Sequence, residues 1–113
     1  MKRLSKSDWK RFLAHLVEWR ERYLQRRTAE LAKTLADGDG TATERFWATK
    51  EAVDTEAKYL RDCLDGHTPS NADLALLQML RGGMIDFEDL EEFSDDLKEN
   101  LRSWMEPFSR GDS

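Results

Sequence analysis

Residues 7–35, SDWKRFLAHLVEWRERYLQRRTAELAKTL, decide the fold of this chain. Arg20 and Arg27, seven residues apart, project from the middle of an apolar arc in this stretch. On the helical period, that arc covers about 160°. Its members are Trp9, Phe12, Leu13, Leu16, Val17, Trp19, Tyr23, Leu24, Leu31 and Leu35. Because one helix cannot bury such a stripe alone, the sequence predicts a long first helix whose partner surface comes from the rest of the chain.

The first helix is expected to pair with a second one as an antiparallel hairpin. Ser7 is its predicted N-cap, and Gly38 suits a left-handed position just past its end near Asp37. The second helix is predicted to begin at Thr41 or Thr43 and to run to about residue 64. A short connection between two helices favours the antiparallel arrangement.

Glu56 interrupts the apolar inner face of the second helix. With the turn near residues 38–40, facing positions have numbers that add up to about 78, so Glu56 lies within one helical turn of Arg20 and Arg27. A half-buried carboxylate without a cation is costly, and so is a half-buried guanidinium without an anion. The sequence therefore predicts a structural ion pair of Glu56 with Arg20, Arg27 or both.

Two shorter helices are expected to complete the fold. The third, capped by Ser70 or Thr68 and ending near residue 81, is mostly apolar and should be the most buried element. The fourth is predicted to begin at an Asp86 N-cap, to carry an amphipathic stripe, and to end at Pro107. The predicted fold is all-α: a helical bundle built on a long antiparallel helical hairpin plus a short third and an amphipathic fourth helix. Residues 1–113 form one domain, with residues 1–6 and 109–113 expected to fray.

Composition supports this class and excludes others. Hydrophobic residues make up 39% of the chain and charged residues 36%, a proportion typical of elongated helices with large solvated faces. The single cysteine, Cys63, excludes an intrachain disulfide. The sequence has neither the apolar run of a signal peptide nor that of a transmembrane helix, so a cytoplasmic protein without a membrane partner is expected.

The sequence predicts no metal, cofactor, small-molecule substrate or catalytic activity. The acidic turn at residues 37–41 resembles the start of a calcium loop, but Ala42 and Ala48 occupy the positions that need glycine and glutamate. Cys63 and His67 are too few for a zinc site, and Cys63 is more simply a small core residue. No glycine pattern matches a phosphate-binding loop.

Charge is distributed unevenly along the chain. Residues 1–36 carry ten Lys or Arg against four Asp or Glu, whereas residues 37–113 carry eight against nineteen. The basic part either contacts nucleic acid or faces the protein's own acidic segment. The candidate contacts for a polyanion are Lys2, Arg3, Lys6, Lys10, Arg11, Arg22, Arg26 and Lys33.

The leading hypothesis is a non-enzymatic helical protein–protein interaction module, an adaptor or regulator that self-associates, most simply as a homodimer. Trp47 projects from the back of the second helix, where it is either a partner contact or covered by the third or fourth helix. The acidic face of the fourth helix offers further candidate partner contacts: Glu88, Glu91, Glu92, Asp95 and Asp96. One alternative is a nucleic-acid-binding protein that uses the basic first helix; another is an acidic nucleic-acid mimic that inhibits a nucleic-acid enzyme.

Overall fold

The computed structural model describes residues 3–109, with the side chains of residues 3–105. Within that range the elements are α1 (Lys6–Asp37), α2 (Ala42–Leu64), α3 (Ala72–Arg81), a 3₁₀ turn (Phe87–Leu90) and α4 (Asp95–Ser109). α1 packs against α2 as a hairpin, α2 packs against α3, and α3 packs against α4. The predicted all-α bundle built on a long helical hairpin is therefore confirmed.

The start of α1 differs from the prediction. The N-cap is Ser5 rather than Ser7, and the Ser5 hydroxyl accepts a hydrogen bond from the Asp8 backbone N–H at 3.1 Å. The chain before the cap is anchored, because Leu4 is buried and its N–H donates to the Pro69 carbonyl oxygen at 2.8 Å. The expectation of fraying is therefore wrong for residues 4–6, and residue 109 belongs to α4. The expectation for residues 1–2 and 110–113 lies outside the described residues.

The turn between α1 and α2 uses its glycines differently from the prediction. Gly38 is extended, with φ −68° and ψ 171°, rather than left-handed. Glycine is still required there, because a Cβ atom would lie 2.5 Å from the Thr34 carbonyl oxygen. The left-handed residue is Gly40, with φ 91°. Thr41 then caps α2 in a capping box with Glu44, so the earlier of the two candidate threonines is the cap.

The core lies at one end of the hairpin, which we call the base. α3 is the most buried helix, as predicted, and its apolar side chains join Phe12, Trp19 and Cys63. Along the described hairpin helices, no residue of α1 beyond Tyr23 is buried, and Thr49 is the one buried residue of α2 before Cys63. The other half of the hairpin, the tip, therefore projects from the base. The radius of gyration, 16.6 Å, reflects this elongation, since a compact chain of this length has about 13 Å.

The fourth helix begins eight residues later than predicted. The capping box of Asp86 and Asp89 exists, but it opens the 3₁₀ turn. α4 starts only after Ser94, whose hydroxyl accepts from the Leu97 backbone N–H at 3.3 Å. Ser94 in turn donates from its backbone N–H and its hydroxyl to the Asp8 carboxylate of α1, at 2.9 and 2.5 Å. This contact between distant parts of the chain fixes the start of α4.

The apolar spacing of this segment changes where the helix type changes. Phe87, Leu90 and Phe93 recur every three residues, which is the repeat of a 3₁₀ helix. The following positions, at 97, 101 and 104, have the alternating spacing of an α-helix. The predicted stop at Pro107 is also wrong, since α4 continues to Ser109. A proline this close to the end of a helix removes a backbone hydrogen bond only from its last turns.

Candidate interaction surface

A polar cluster joins α1 and α2 where the base meets the tip. The Glu56 carboxylate accepts a hydrogen bond from Arg27 Nε at 2.5 Å, and it accepts another, short one from the Tyr23 hydroxyl. The hydrogen bond to Glu56 raises the pKa of Arg27. Burial, together with the hydrogen bond to Glu56, raises the pKa of Tyr23 to about 12. Of the two arginines proposed as partners of Glu56, the structure therefore brings Arg27 to it.

Arg20 lies outside this cluster. Its Nε donates to Glu21 at 3.2 Å, and the two side chains are 43% and 66% exposed. Sequence reasoning also missed the third member of the cluster, because it assigned Tyr23 only to the apolar stripe. The available signal was spacing: Tyr23 and Arg27 are four residues apart, so both lie on the side of α1 that faces Glu56.

One side of the hairpin is covered by the later elements. α1 is held there by the hydrogen bonds of Asp8 with Ser94 and by the rings of Trp19 and Phe93, whose centroids are 6.2 Å apart. α2 is held there by the Tyr59 hydroxyl, which lies 3.2 Å from the Gln78 carbonyl oxygen of α3. These contacts place α3, the 3₁₀ turn and α4 on a single side of the α1–α2 pair.

The opposite side of the hairpin carries an apolar stripe on each helix. Around each helix axis, in the direction of increasing residue number, three surfaces follow one another: the covered side, the side that faces the other helix, and the apolar stripe. The stripe lies about a quarter turn beyond the side that faces the other helix. Because α1 and α2 are antiparallel, both stripes lie on the same side of the pair. We call this side the open face; its residues are Leu13, Val17, Leu24, Leu31 and Leu35 of α1, and Phe46, Val53 and Ala57 of α2.

The open face is substantially solvent-exposed. The exposed fractions are 49% for Leu13, 58% for Val17, 46% for Leu35, 54% for Phe46 and 46% for Val53. The apolar arc predicted from the sequence is therefore not one buried surface. Its covered part is buried in the core, whereas most of the part on the open face remains about half exposed.

Trp47 is exposed. The third and fourth helices therefore do not bury it, which was one of the two alternatives for this residue. The residue is 58% exposed, and its ring meets that of Phe46 edge-on, with centroids 5.1 Å apart. Trp47 lies on the back of α2, and Phe46 connects it to the open face. The two rings therefore form a continuous aromatic corner on the tip.

The predicted acidic face is exposed but divided between two elements. Glu88, Glu91 and Glu92 belong to the 3₁₀ turn and the loop after it, and Asp95 and Asp96 open α4. The prediction that they form one continuous face of the fourth helix is therefore wrong. Two of them lie close to basic side chains. Glu92 is 3.7 Å from His15 Nε2, and Asp95 is 3.4 Å from Lys98 Nζ.

Two of the candidate cations contact the protein's own acidic segment. Arg22 donates two hydrogen bonds of 2.8 Å to Asp89, and a third of 3.2 Å to the Met84 carbonyl oxygen. Burial alone would raise the pKa of Asp89, but the hydrogen bonds with Arg22 and Asp86 and the charge of Arg22 together outweigh it and lower that pKa. Arg26 donates to the Gly83 carbonyl oxygen at 3.0 Å and lies over the Tyr23 ring.

The other candidate cations lie along α1 and before it. Arg11 is 3.3 Å from the buried Asp8 carboxylate. Lys2 lies outside the described residues. The remainder are exposed: Arg3, Lys6, Lys10 and Lys33. The structure therefore does not gather the candidate cations into one patch.

A cavity of about 190 Å³ lies where the N-termini of α1, α3 and α4 meet. Asp8 and Asp73 line it, and each is only 2% exposed. Asp73 Oδ1 accepts from the Leu74 backbone N–H at 2.8 Å, while Oδ2 has no hydrogen-bond partner among the described residues. Asp8 and Asp73 lie in the first turns of α1 and α3, and a helix N-terminus stabilises a carboxylate placed there. Between residues 3 and 109, no group of three or more His, Cys, Asp or Glu side chains is arranged to hold a metal ion.

Cys63 and His67 do not present a reactive pair at the surface. The Cys63 thiol is fully buried, and burial raises its pKa to about 11. The polar contact of the His67 imidazole is with the backbone carbonyl oxygen of Cys63, and its ring meets Phe12 edge-on. A thiol that holds its proton this strongly is a poor nucleophile at neutral pH.

The fold and the surface define an all-α, hairpin-based helical bundle with one uncovered apolar side. No protein-family model, curated protein or solved structure matches this chain. The described helices include none with the length and apolar character needed to cross a membrane.

Proposed function

We propose that this chain is a non-enzymatic protein–protein interaction module, an adaptor or regulator that binds a helical protein surface through the open face. The observation that carries the proposal is the pair of exposed apolar stripes on one side of the hairpin. Soluble proteins seldom leave a large contiguous apolar patch without a binding role. Apolar helix faces are most often buried against other helices.

The spacing within the stripes supports a helical partner. Val17, Leu24 and Leu31 are seven residues apart in α1, and Phe46 and Val53 are seven apart in α2. A seven-residue apolar repeat keeps side chains along one line of contact when helices pack lengthwise. The surface is thus suited to one or two helices that lie along the hairpin.

The aromatic corner adds a second element to the proposed interface. Trp47 and Phe46 are both more than half exposed and are in contact with each other. Tryptophan is enriched among the residues that dominate binding energy at protein interfaces. We therefore include Trp47 among the partner contacts. Its replacement is expected mainly to raise the rate of dissociation of the complex.

The proposal is tested by capture of partner proteins from the native host with the full chain as bait. A photo-crosslinking residue replaces Phe46, and baits with and without Val17→Glu and Val53→Glu are compared. Leu74→Glu is the matched control, because Leu74 is an exposed leucine of α3 that lies outside the open face. We expect a crosslinked protein with the unsubstituted bait and with the control, but not with the Val17/Val53 bait. Equal capture by all three baits would contradict the proposal.

The nucleic-acid alternative has weaker support. Arg22 and Arg26, two of its candidate contacts, donate to groups of the same chain. Binding to random DNA or RNA at two salt concentrations tests it, because each phosphate contact contributes to the salt dependence of affinity. A steep loss of affinity with salt would favour this alternative over the interaction module.

The acidic alternative has one specific observation in its favour. Glu88, Glu91 and Glu92 are exposed close together, and the residues that follow add Asp95 and Asp96. Such a cluster could occupy the basic site of a nucleic-acid enzyme. Co-purification with a basic nucleic-acid enzyme, lost after charge-neutralising Glu→Gln substitutions in this cluster, would favour it.

A further inference from the structure

We infer that the partner on the open face is a second copy of this chain, bound about a twofold axis so that two hairpins form a four-helix core. The inference rests on the proposed function, since it names the occupant of the same surface. In this dimer, α3 and α4 of each copy lie on the outside. The apolar stripes of the two copies are buried against each other.

The size of the open face fits a stable dimer. Five of its side chains are about half exposed, and three more are partly exposed. Together they offer on the order of 500 Å² of apolar surface per copy, at the upper end of what a monomer leaves exposed. Interfaces are about 60% apolar, so this area corresponds to roughly 800 Å² per partner. That is the usual contribution of each partner to a stable interface.

The shape of the open face also favours a copy of itself. The α1 stripe from Leu13 to Leu35 is about 33 Å long, and the α2 stripe from Phe46 to Ala57 lies beside part of it. A partner that covers both stripes must offer two adjacent helices with apolar residues along a matching length of each. A second hairpin meets this requirement by symmetry, because a twofold interface pairs one surface with itself. Antiparallel hairpin pairs of this kind form four-helix bundles.

The charges around the open face permit this packing. None of the eight residues that define the face is charged. Arg20, which lies at its border, already forms an ion pair with Glu21, and both side chains remain accessible to solvent. Lys50, between Phe46 and Val53, is likewise paired, with Asp54 at 2.8 Å. These bordering charges therefore keep their partners on association, and an unpaired buried charge is a costly fault in an interface.

The test is the mass of the full chain in solution, measured by light scattering and by sedimentation equilibrium over a concentration series. The chain mass is 13.2 kDa, and we expect twice this value at micromolar concentration. Val17→Glu with Val53→Glu should weaken dimerisation by at least about 100-fold, because each copy then buries two carboxylates in an apolar contact. Leu74→Glu should leave the dimer intact. Circular dichroism shows whether each variant keeps its helices; both valines are exposed in the monomer, so folding should not depend on them.

Two results would overturn the inference. One is a chain that stays monomeric at all concentrations, and the other is a dimer that survives the Val17/Val53 substitutions. A monomer whose open face still captures a different protein would remove the second copy as partner and leave the proposed function standing. A dimer with no other captured protein supports the inference and defines the module as self-associating.

Discussion

Replacing Glu56 with glutamine should destabilise the fold by a predictable amount. Glu56 is 14% exposed and Arg27 26% exposed at their side chains, so their contact is largely shielded from water. The glutamine keeps the size of the side chain and one oxygen acceptor, but it removes the negative charge. The Tyr23 hydroxyl can still donate to that oxygen, whereas Arg27 loses its charged partner on α2.

The expected loss is about 2 kcal/mol in the free energy of unfolding. A hydrogen bond to a charged group contributes about 1.5–3 kcal/mol, and one of the two at Glu56 is lost outright. Arg27 retains Glu30 at 2.7 Å, so the guanidinium is not left unpaired and the larger cost of a stranded buried charge does not apply. At roughly 4 °C per kcal/mol for a chain of this size, Tm should fall by about 8 °C.

Urea denaturation followed by circular dichroism measures this loss, at one fixed protein concentration so that self-association does not vary. Glu30→Gln is the matched control, because Glu30 binds the same arginine while 53% exposed. Exposed pairs contribute little, so this control should cost less than about 0.5 kcal/mol. Equal losses for the two variants, or a loss below about 0.5 kcal/mol for Glu56→Gln, would refute the reasoning.

Three further predictions concern stability. Asp8→Ala should cost about 3 kcal/mol in urea denaturation, since it leaves the N–H and hydroxyl of Ser94 without their acceptor; an unchanged midpoint would contradict this. Gly82→Ala should lower Tm, with a cost of about 2 kcal/mol, because the added Cβ would lie 2.2 Å from the Tyr59 ring and must displace it; the same Tm as the parent would show that the ring moves freely. Alkaline pH should destabilise the fold. Burial raises the pKa of Cys63 from 9.0 to about 11, so its contribution is complete below pH 9 and is lost as pH rises through 11. Burial also raises the pKa of Tyr59, in the same direction. Free energies of unfolding that stay constant from pH 8 to 11 would contradict the assignment.

The hairpin could be predicted because its signals are local. Apolar spacing defines both helices, and a glycine-rich turn with a threonine cap separates them. Counting residues away from the turn then places Glu56 within one helical turn of both Arg20 and Arg27, and the structure selects Arg27. The start of α4 could not be predicted in this way. Asp86 has every local property of an N-cap, and only the contact of Ser94 with Asp8, far away in the chain, shows that the α-helix begins later.

Periodicity also could not show which part of the apolar arc is covered. Leu13 and Phe12 are equally apolar in the sequence, yet one is 49% exposed and the other fully buried. The difference depends on where the later elements pack, which helical spacing does not encode. The sequence therefore predicted an excess of apolar surface, but the division of that surface into a core and an open face required the fold.

The lengths of the helices explain why an open face and a projecting tip exist together. α1 has 32 residues and spans about 48 Å, whereas α3 and α4, with 10 and 15 residues, span about 15 and 22 Å. The covering helices are too short to follow the hairpin to its tip. Beyond the base, the hairpin has almost no core to hold its two helices in register.

The polar cluster compensates for that missing core. Glu56 and Arg27 join α2 to α1 just where the buried residues of α1 end, and Arg45 of the tip donates to the Leu35 carbonyl oxygen at 3.2 Å. Polar contacts require particular partners and so specify register more strictly than apolar contacts do. A slip of one residue would rotate one stripe away from the other by about 100° and divide the open face. The ion pair that interrupts the apolar arc therefore helps to keep the two exposed stripes on one surface.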